Sequence, residues 1–174
     1  MKNAVIITDN GVEDAEFIYP YYRLLEEEFL VDVAIKDKRE VKGKHGYPLK
    51  PTIDTKSLEV EKYDLLVIPG GYEAPSRVRQ QKEVLDFVRE MDERSKLIAA
   101  ICHGPWVLIS AGILKGRRAT SYSDCKDDLV NSGALYQDQP VVVDGNIVTA
   151  QHYKDLGPWM KNVFETYQRM IEKQ

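Results

Sequence analysis

Short runs of consecutive apolar residues recur along the chain, each bounded by polar or turn-forming residues. Continuous, β-branched runs of this length are typical of strands buried on both faces of a parallel sheet. The pattern predicts such strands at 4–8, 30–35, 63–68 and 96–101. Near the end of the chain, two apolar runs at 141–143 and 147–148 flank Asp144-Gly145-Asn146, which predicts a β-hairpin.

Apolar residues at helical spacing separate these strands. They predict helices over 13–28, 81–94, 124–132 and 155–171, and a shorter one from Pro105 to about Ala111. The residues predicted to face inward from the first two helices are Phe17, Tyr21, Leu24, Leu25, Val84, Phe87, Val88 and Met91. The polar stretch 37–56 predicts a hairpin or short strands outside the main sheet, and 117–121 a short strand. The alternation predicts one α/β domain over 1–174, a doubly wound three-layer sandwich with a mostly parallel, flavodoxin-like sheet.

Composition and charge exclude several classes of protein. Hydrophobic residues are 43% and charged residues 30% of the chain, as in a globular protein with a core. The net charge of −4, with no basic stripe, gives no reason to expect nucleic-acid binding. The longest apolar runs are too short to span a bilayer, and no signal peptide is visible, so a cytoplasmic location is expected.

Cysteine and histidine are too sparse for a disulfide framework or a structural zinc site. The two cysteines, Cys102 and Cys125, form no CxxC pair, and the three histidines are scattered at 45, 103 and 152. We therefore expect no metal and no cofactor. Cys125, at a predicted helix start, is not expected to be catalytic.

The strongest chemical signal is Ala100-Ile101-Cys102-His103-Gly104, directly after a predicted buried strand. Small residues two positions either side of a nucleophile are the signature of a nucleophile elbow, a tight strand-to-helix turn that exposes the reactive side chain. A thiol at a helix N-terminus is expected to favour the thiolate. The alternative is that Cys102 is a small buried hydrophobe.

Three further features accompany this turn. His103 is a candidate base, although neighbouring side chains rarely face each other. Gly70 and Gly71 follow another buried strand and are candidate oxyanion or substrate-binding residues, with the amides of Gly71 and His103 as the candidate oxyanion donors. Glu13 lies at the same sheet edge, where its carboxyl could exchange a proton with the thiol or simply complement a helix N-terminus together with its acidic neighbours.

These residues resemble the PfpI-type intracellular peptidases, a family within the superfamily of the Parkinson-disease protein DJ with class I glutamine amidotransferase-like architecture. The matching segments, in order, are 13–16, 19–20, 43–46, 68–71, 74–75, 100–105, 108–112, 115–117, 120–122 and 141–145. The resemblance implies that Cys102 is the nucleophile, His103 its partner, and Glu13 the carboxyl that contacts the thiol. It also implies an oxyanion site at Gly71 and His103, with Tyr122 near the pocket.

The resemblance further implies dimers or hexamers with the active site near a subunit interface, and a role in stress protection. Two positions depart from the family pattern. Ser76 stands where such peptidases have a glutamate that pairs with the histidine of the adjacent subunit, and Glu73 is a possible substitute. Ala150-Gln151-His152-Tyr153 replaces a segment that usually contains arginine.

Three functions remain open at this point. The first is a cysteine hydrolase or lyase acting on glyoxal, methylglyoxal or their protein adducts, as a deglycase or glyoxalase. The second is a peptidase that uses Cys102 and His103. The third is a non-enzymatic thiol sensor or chaperone, with Cys102 oxidised and stabilised by Glu13.

Overall fold

Ten strands and six helices make up the computed structural model, which describes residues 1–174. Strands β1 to β10 are Lys2–Ile7, Phe29–Ala34, Val41–Lys42, Pro48–Leu49, Leu65–Ile68, Leu97–Ile101, Arg118–Ala119, Leu135–Tyr136, Val141–Asp144 and Ile147–Ala150. Helices α1 to α6 are Asp14–Glu26, Glu73–Val78, Lys82–Glu93, Pro105–Ala111, Lys126–Asn131 and Leu156–Glu172. The central sheet has the order β2-β1-β5-β6-β10-β9, and only β9 is antiparallel to its neighbour.

The apolar strands supply side chains to both faces of the sheet. In β1, Ala4 and Ile6 enter one hydrophobic cluster while Val5 and Ile7 enter the other, and β5 and β6 alternate in the same way. Helices α1 and α6 cover the first face, and α3, α4 and α5 cover the second. Because each strand is buried on both sides, continuous apolar sequence is what the fold requires.

The predicted doubly wound α/β sandwich is confirmed, and its flavodoxin-like strand order brings the carboxyl ends of β1, β5 and β6 together. The hairpins at 41–49 and 141–150 are present. The sequence did not reveal α2 or the parallel pairing of β7 with β8. No helix combines the length and the apolar character needed to cross a membrane.

The inner face of α1 was predicted incorrectly in one respect. The buried residues are Glu16, Phe17, Pro20 and Leu24, whereas Leu25 is 43% exposed. The helix is therefore rolled so that a carboxylate, rather than a leucine, completes its buried face. By contrast, the inner face predicted for α3 is confirmed, since its four apolar residues are all buried.

Candidate active site

Cys102 occupies the turn between β6 and α4 and adopts a left-handed backbone conformation, with φ of 62°. Such a conformation is unfavourable for a residue with a side chain and persists only when the surroundings impose it. Here the amide of Cys102 donates to the Ala150 carbonyl (3.0 Å), and its own carbonyl accepts from the Tyr122 amide (2.9 Å). The backbone is thus fixed on both sides of the thiol.

Gly104 lets α4 start directly behind this turn. A Cβ at this position would stand 2.5 Å from the Ile68 carbonyl oxygen and 2.8 Å from that of Ile101. The φ of −52° would suit alanine, so lack of space alone requires glycine. This agrees with the small residue predicted at this position.

We expect Gly104→Ala to lower the free energy of unfolding by about 2–3 kcal/mol, because both clashing atoms belong to backbone that cannot move independently. Gly157→Ala is the matched control, since a Cβ there meets open space on α6. It should stabilise the protein by about 0.5 kcal/mol or leave it unchanged. Urea unfolding of both variants measures the difference, and equal effects would show that crowding at Gly104 is unimportant.

The thiol of Cys102 lies beside His103 despite their adjacency in sequence. Cys102 Sγ is 3.3 Å from His103 Nδ1, and Nε2 of the same ring is 3.0 Å from Oδ1 of Asp124. An ionised carboxylate only accepts hydrogen bonds, so Nε2 carries the proton that faces Asp124. The other nitrogen, Nδ1, is then free to accept a proton from the thiol. Asp124 was not predicted as a member of the site.

A buried carboxyl, Glu16, lies on the other side of the thiol. Glu16 is fully buried, and its Oε1 accepts a hydrogen bond from the Gly70 amide at 2.9 Å. The carboxyl is close enough to Cys102 for each group to alter the pKa of the other. Its Oε2 is buried without a hydrogen-bond partner. Glu16 therefore has one oxygen without a hydrogen-bond partner, on a carboxyl whose charge acts on the Cys102 thiol.

Glu13, predicted as the thiol-contacting carboxyl, is not in that position. Its carboxylate pairs with Lys44 (3.3 Å) and His45 (3.4 Å), on the side of α1 that faces the 43–46 turn. The helix starts after Glu13, and one turn of helix carries the next inward-facing position to Glu16. The prediction for Glu13 is therefore wrong in its placement, and Glu16 occupies the expected location.

Burial dominates the acid–base properties of the pair. Burial, followed by the nearby Glu16 charge, raises the pKa of Cys102 to about 12, although the amides of Gly71 and His103 act in the opposite direction. Burial likewise raises the pKa of Glu16 to about 8. Burial therefore opposes the thiolate that the helix N-terminus is expected to favour. Because the Glu16 charge raises the pKa of the thiol, Cys102 ionises more readily while Glu16 is protonated.

The raised pKa of Glu16 predicts a pH-dependent stability. Glu16 titrates near 4.5 when unfolded and near 8 when folded, where it also faces Glu13, Lys44 and Cys102. The folded protein holds a proton that the unfolded chain releases, so stability is complete below pH 4.5 and falls as pH rises towards 8. We expect wild type to lose on the order of 4 kcal/mol relative to Glu16→Gln across this window. Urea unfolding of both proteins at pH 4.5 and at pH 8 measures this loss. The same change in unfolding free energy for both proteins would contradict the prediction.

The two glycines after β5 have different roles. The Gly70 amide is committed to Glu16, so the prediction that it serves the substrate is not supported by its hydrogen bonding. A Cβ on Gly70 would also approach Cys102 Cβ at 2.6 Å. The amides of Gly71 and His103 are directed at the sulfur, which suits the predicted oxyanion site. Their role stays a prediction.

Aromatic rings surround His103. Tyr122 stacks on it with ring centroids 5.3 Å apart, and Tyr72 and Trp106 meet it edge-on at 5.6 and 4.8 Å. Tyr122 also stacks on His152, with ring centroids 5.8 Å apart. These contacts fix the imidazole orientation between Cys102 and Asp124.

Glu73 does not approach His103 within the chain. Its carboxylate binds Arg77 (2.8 Å) and Asn10 (3.3 Å), and Arg77 holds its pKa below the usual range. The carboxylate that pairs with His103 is that of Asp124. The absence of glutamate at Ser76 therefore does not leave the histidine without a carboxylate partner.

A groove of about 660 Å³ lies away from the thiol. It follows the outer face of α1 past Ile18, Tyr19 and Tyr22, and includes Glu13 and His45 but not Cys102. The nucleophile candidate is only 9% exposed and lies beside His103, whose ring packs against aromatic side chains. Groove size therefore does not identify the reactive position in this fold.

Comparison with known proteins identifies the family of this chain. The DJ-1/PfpI family model matches residues 2–166. The chain belongs to the DJ-1/PfpI family. The deglycase PfpI of Pyrococcus furiosus is 45% identical over 157 residues, which cover 90% of this chain and 94% of that protein. YraA of Bacillus subtilis, whose name marks it as a candidate cysteine protease, is 38% identical over 89% of this chain and 91% of its own length.

Solved structures of the DJ-1/PfpI family share the fold. A two-domain protein of Anabaena variabilis, with DJ-1/ThiJ/PfpI-like and ferritin-like domains, superposes with a TM-score of 0.91 at 36% identity. The match covers 95% of this chain and 48% of that protein, so this chain spans about half its length. DJ-1β of Drosophila melanogaster has a TM-score of 0.88 at 29% identity, covering 99% of this chain and 96% of that one.

Proposed function

We propose that this protein is a cysteine-dependent enzyme acting on methylglyoxal, glyoxal or the adducts they form with amino groups. The single observation that carries the proposal is the arrangement at Cys102, where one sulfur lies between the Nδ1 of His103 and the carboxyl of Glu16. Attack on a carbonyl requires a nucleophile, a base and a proton donor. The site provides one group for each requirement.

The first step is proton transfer from the thiol. Asp124 keeps the Nε2 proton in place, so Nδ1 of His103 takes the proton from Cys102, and the resulting imidazolium is stabilised by the carboxylate. The turn at Cys102 then acts as the nucleophile elbow that the sequence predicted. The buried thiol needs this base because its own pKa is high.

The second step is attack of the thiolate on the aldehyde carbon of methylglyoxal. A C–S bond forms, the carbonyl π electrons move to oxygen, and the amides of Gly71 and His103 stabilise that oxygen. His103 gives its proton to that oxygen, which completes the hemithioacetal. The freed Nδ1 then takes the C1 proton, Glu16 gives its proton to C2 through an enediol, and the C1 hydroxyl proton moves to the C2 oxygen, which gives a lactoyl thioester. His103 returns the proton it took to Glu16. Water cleaves the thioester to lactate and the free thiol. The net reaction consumes one water and needs no external oxidant.

The names of the relatives support carbonyl chemistry on adducts as well. Two of the most similar, from Pyrococcus furiosus and Pyrococcus horikoshii, are named deglycases at 45% identity. An aminocarbinol adduct presents the same carbon to Cys102 once its carbonyl is regenerated. We therefore propose free dicarbonyls and their adducts as one substrate class.

A peptidase is the second candidate, and one observation favours it. The thiol of Cys102 is within hydrogen-bonding distance of His103, which is in turn within hydrogen-bonding distance of Asp124. A nucleophile, base and carboxylate in this order are the arrangement used in acyl transfer. The buried Glu16 has no role in peptide hydrolysis, and this favours the carbonyl reaction. The two functions make different products and are therefore separable.

The deciding experiment follows lactate from methylglyoxal and amine release from a glycated amino acid, with a fluorogenic peptide in parallel. Cys102→Ala protein purified in the same way measures any contaminating glyoxalase. We expect lactate or released amine from wild type and little peptide cleavage. Peptide cleavage with no carbonyl product would overturn the proposal in favour of the peptidase.

A further inference from the structure

Three side chains of different chemistry meet behind His103. The ligand atoms of His103, Asp124 and Cys125 all lie within 4.8 Å of one another. His103 Nε2 is 3.0 Å from Asp124 Oδ1, and Cys125 Sγ is 3.6 Å from the same oxygen. His103 and Cys125 are buried, whereas the Asp124 side chain is 57% exposed. Two ligands of the cluster are therefore buried, and the third is accessible to solvent.

These spacings suit a tetrahedral ion. With bonds of about 2.0–2.3 Å to nitrogen, oxygen and sulfur, the ligand atoms of a bound Zn²⁺ stand about 3.3–3.7 Å apart. The two separations that involve Asp124 Oδ1 need to change by a few tenths of an ångström at most. The separation between His103 Nε2 and Cys125 Sγ, which is within 4.8 Å, needs to shorten by up to about 1 Å. Imidazole, carboxylate and thiolate are all zinc ligands, and three protein ligands with one open position form a common arrangement. We propose that His103, Asp124 and Cys125 bind a divalent transition-metal cation of the Zn²⁺ class.

The linear sequence conceals this site. His103 ends a strand-to-helix turn, while Asp124 and Cys125 lie in the helical turn Ser123–Cys125, which the fold brings beside it. The pairing of Tyr122 with the Cys102 carbonyl makes that approach possible. No CxxC or histidine spacing marks such a site.

Binding the cation would switch off the thiol chemistry, a consequence that rests on the proposed function. The metal takes the position of the Nε2 proton, which returns through solvent to Nδ1, and the Cys125 thiol releases one proton to solvent. The neutral imidazole then has no lone pair for the Cys102 proton. Removal of the metal restores the base, so inhibition is reversible.

Cobalt(II) binding to Cys102→Ala protein tests the site without relying on activity. The chain has two cysteines, so Cys125 is the only thiol left in this variant. We expect one Co²⁺ per chain with a thiolate-to-cobalt charge-transfer band in the near ultraviolet. In the double variant Cys102→Ala, Cys125→Ala the band should vanish and affinity should fall by at least about 100-fold, because loss of a residue that only hydrogen-bonds to a ligand already costs about 10–100-fold.

Circular dichroism confirms that each variant is folded. A Cys102→Ala protein that binds no Co²⁺, or binds it without a charge-transfer band, overturns the proposal. The inhibitory consequence has its own test, in which Zn²⁺ inhibits wild type at least tenfold more strongly than Cys125→Ala. Equal inhibition of both would place the inhibitory zinc on Cys102 and overturn that consequence. If wild type has no carbonyl activity, the cobalt result still decides the binding site.

Discussion

Cys102→Ala is expected to lower the rate of methylglyoxal conversion by at least about 10⁴-fold, because loss of a covalent nucleophile removes the reaction path and not one interaction within it. The Gly71 and His103 amides and the Glu16 carboxyl remain in this variant, but no bond to carbon can form. Initial rates of lactate formation at saturating and at low substrate measure the effect. The thiol is one of two, so labelling with an alkylating reagent should fall by one equivalent in parallel.

Cys125→Ala provides the matched control for this change. It removes the same atom from a cysteine that is fully buried and whose thiol donates to Asp124 Oδ1, so it lacks the histidine contact that Cys102 has. The contact between His103 and Asp124 is retained. We expect the rate without added metal to stay within about threefold of wild type. A comparable loss in both variants would indicate that global destabilisation, and not loss of the nucleophile, explains the Cys102 result.

The fold could be predicted from the sequence because its strands are buried on both faces. Runs such as 65–68 and 97–101 contain only apolar residues, so neither face of the strand can be placed in solvent. Their alternation with helices is compatible with few sheet topologies. The element ends moved by one or two residues, as expected for local patterns. The short helix Glu73–Val78 was missed because it begins directly after the Gly70-Gly71 turn and contains Pro75, which mark a loop in sequence.

The nucleophile and its turn could also be predicted, but the groups around them could not. Cys102 was identified by the steric demands of one local turn. Glu16 was missed because a carboxylate within an acidic helix start is ordinarily solvated. Its spacing of four from Pro20 and eight from Leu24, both buried, was the available signal. Asp124 is 21 residues from His103, so only the tertiary pairing of two loops reveals it.

Glu16→Gln should reduce turnover of methylglyoxal by about 10²–10⁴-fold, the usual contribution of a general acid or base. Glutamine has nearly the same shape and its amide oxygen still accepts from the Gly70 amide, so the 69–71 turn keeps its support. What the variant loses is the ability to carry a proton at Oε2, the carboxyl oxygen that has no hydrogen-bond partner. Proton relay between C1 and C2 of the substrate is therefore interrupted after the thiolate has attacked.

Glu13→Gln distinguishes this role from a general effect of acidic residues in α1. Glu13 is paired with Lys44 and His45 and has no contact with the thiol, so its rate should stay within about threefold of wild type. Alkylation of Cys102 should remain measurable in both variants, because neither substitution removes His103. Loss of turnover in Glu13→Gln with full turnover in Glu16→Gln would reverse the assignment. With the expected result, a single buried carboxyl accounts for both the pH-dependent stability and the proton relay, because burial is what keeps Glu16 protonated at neutral pH.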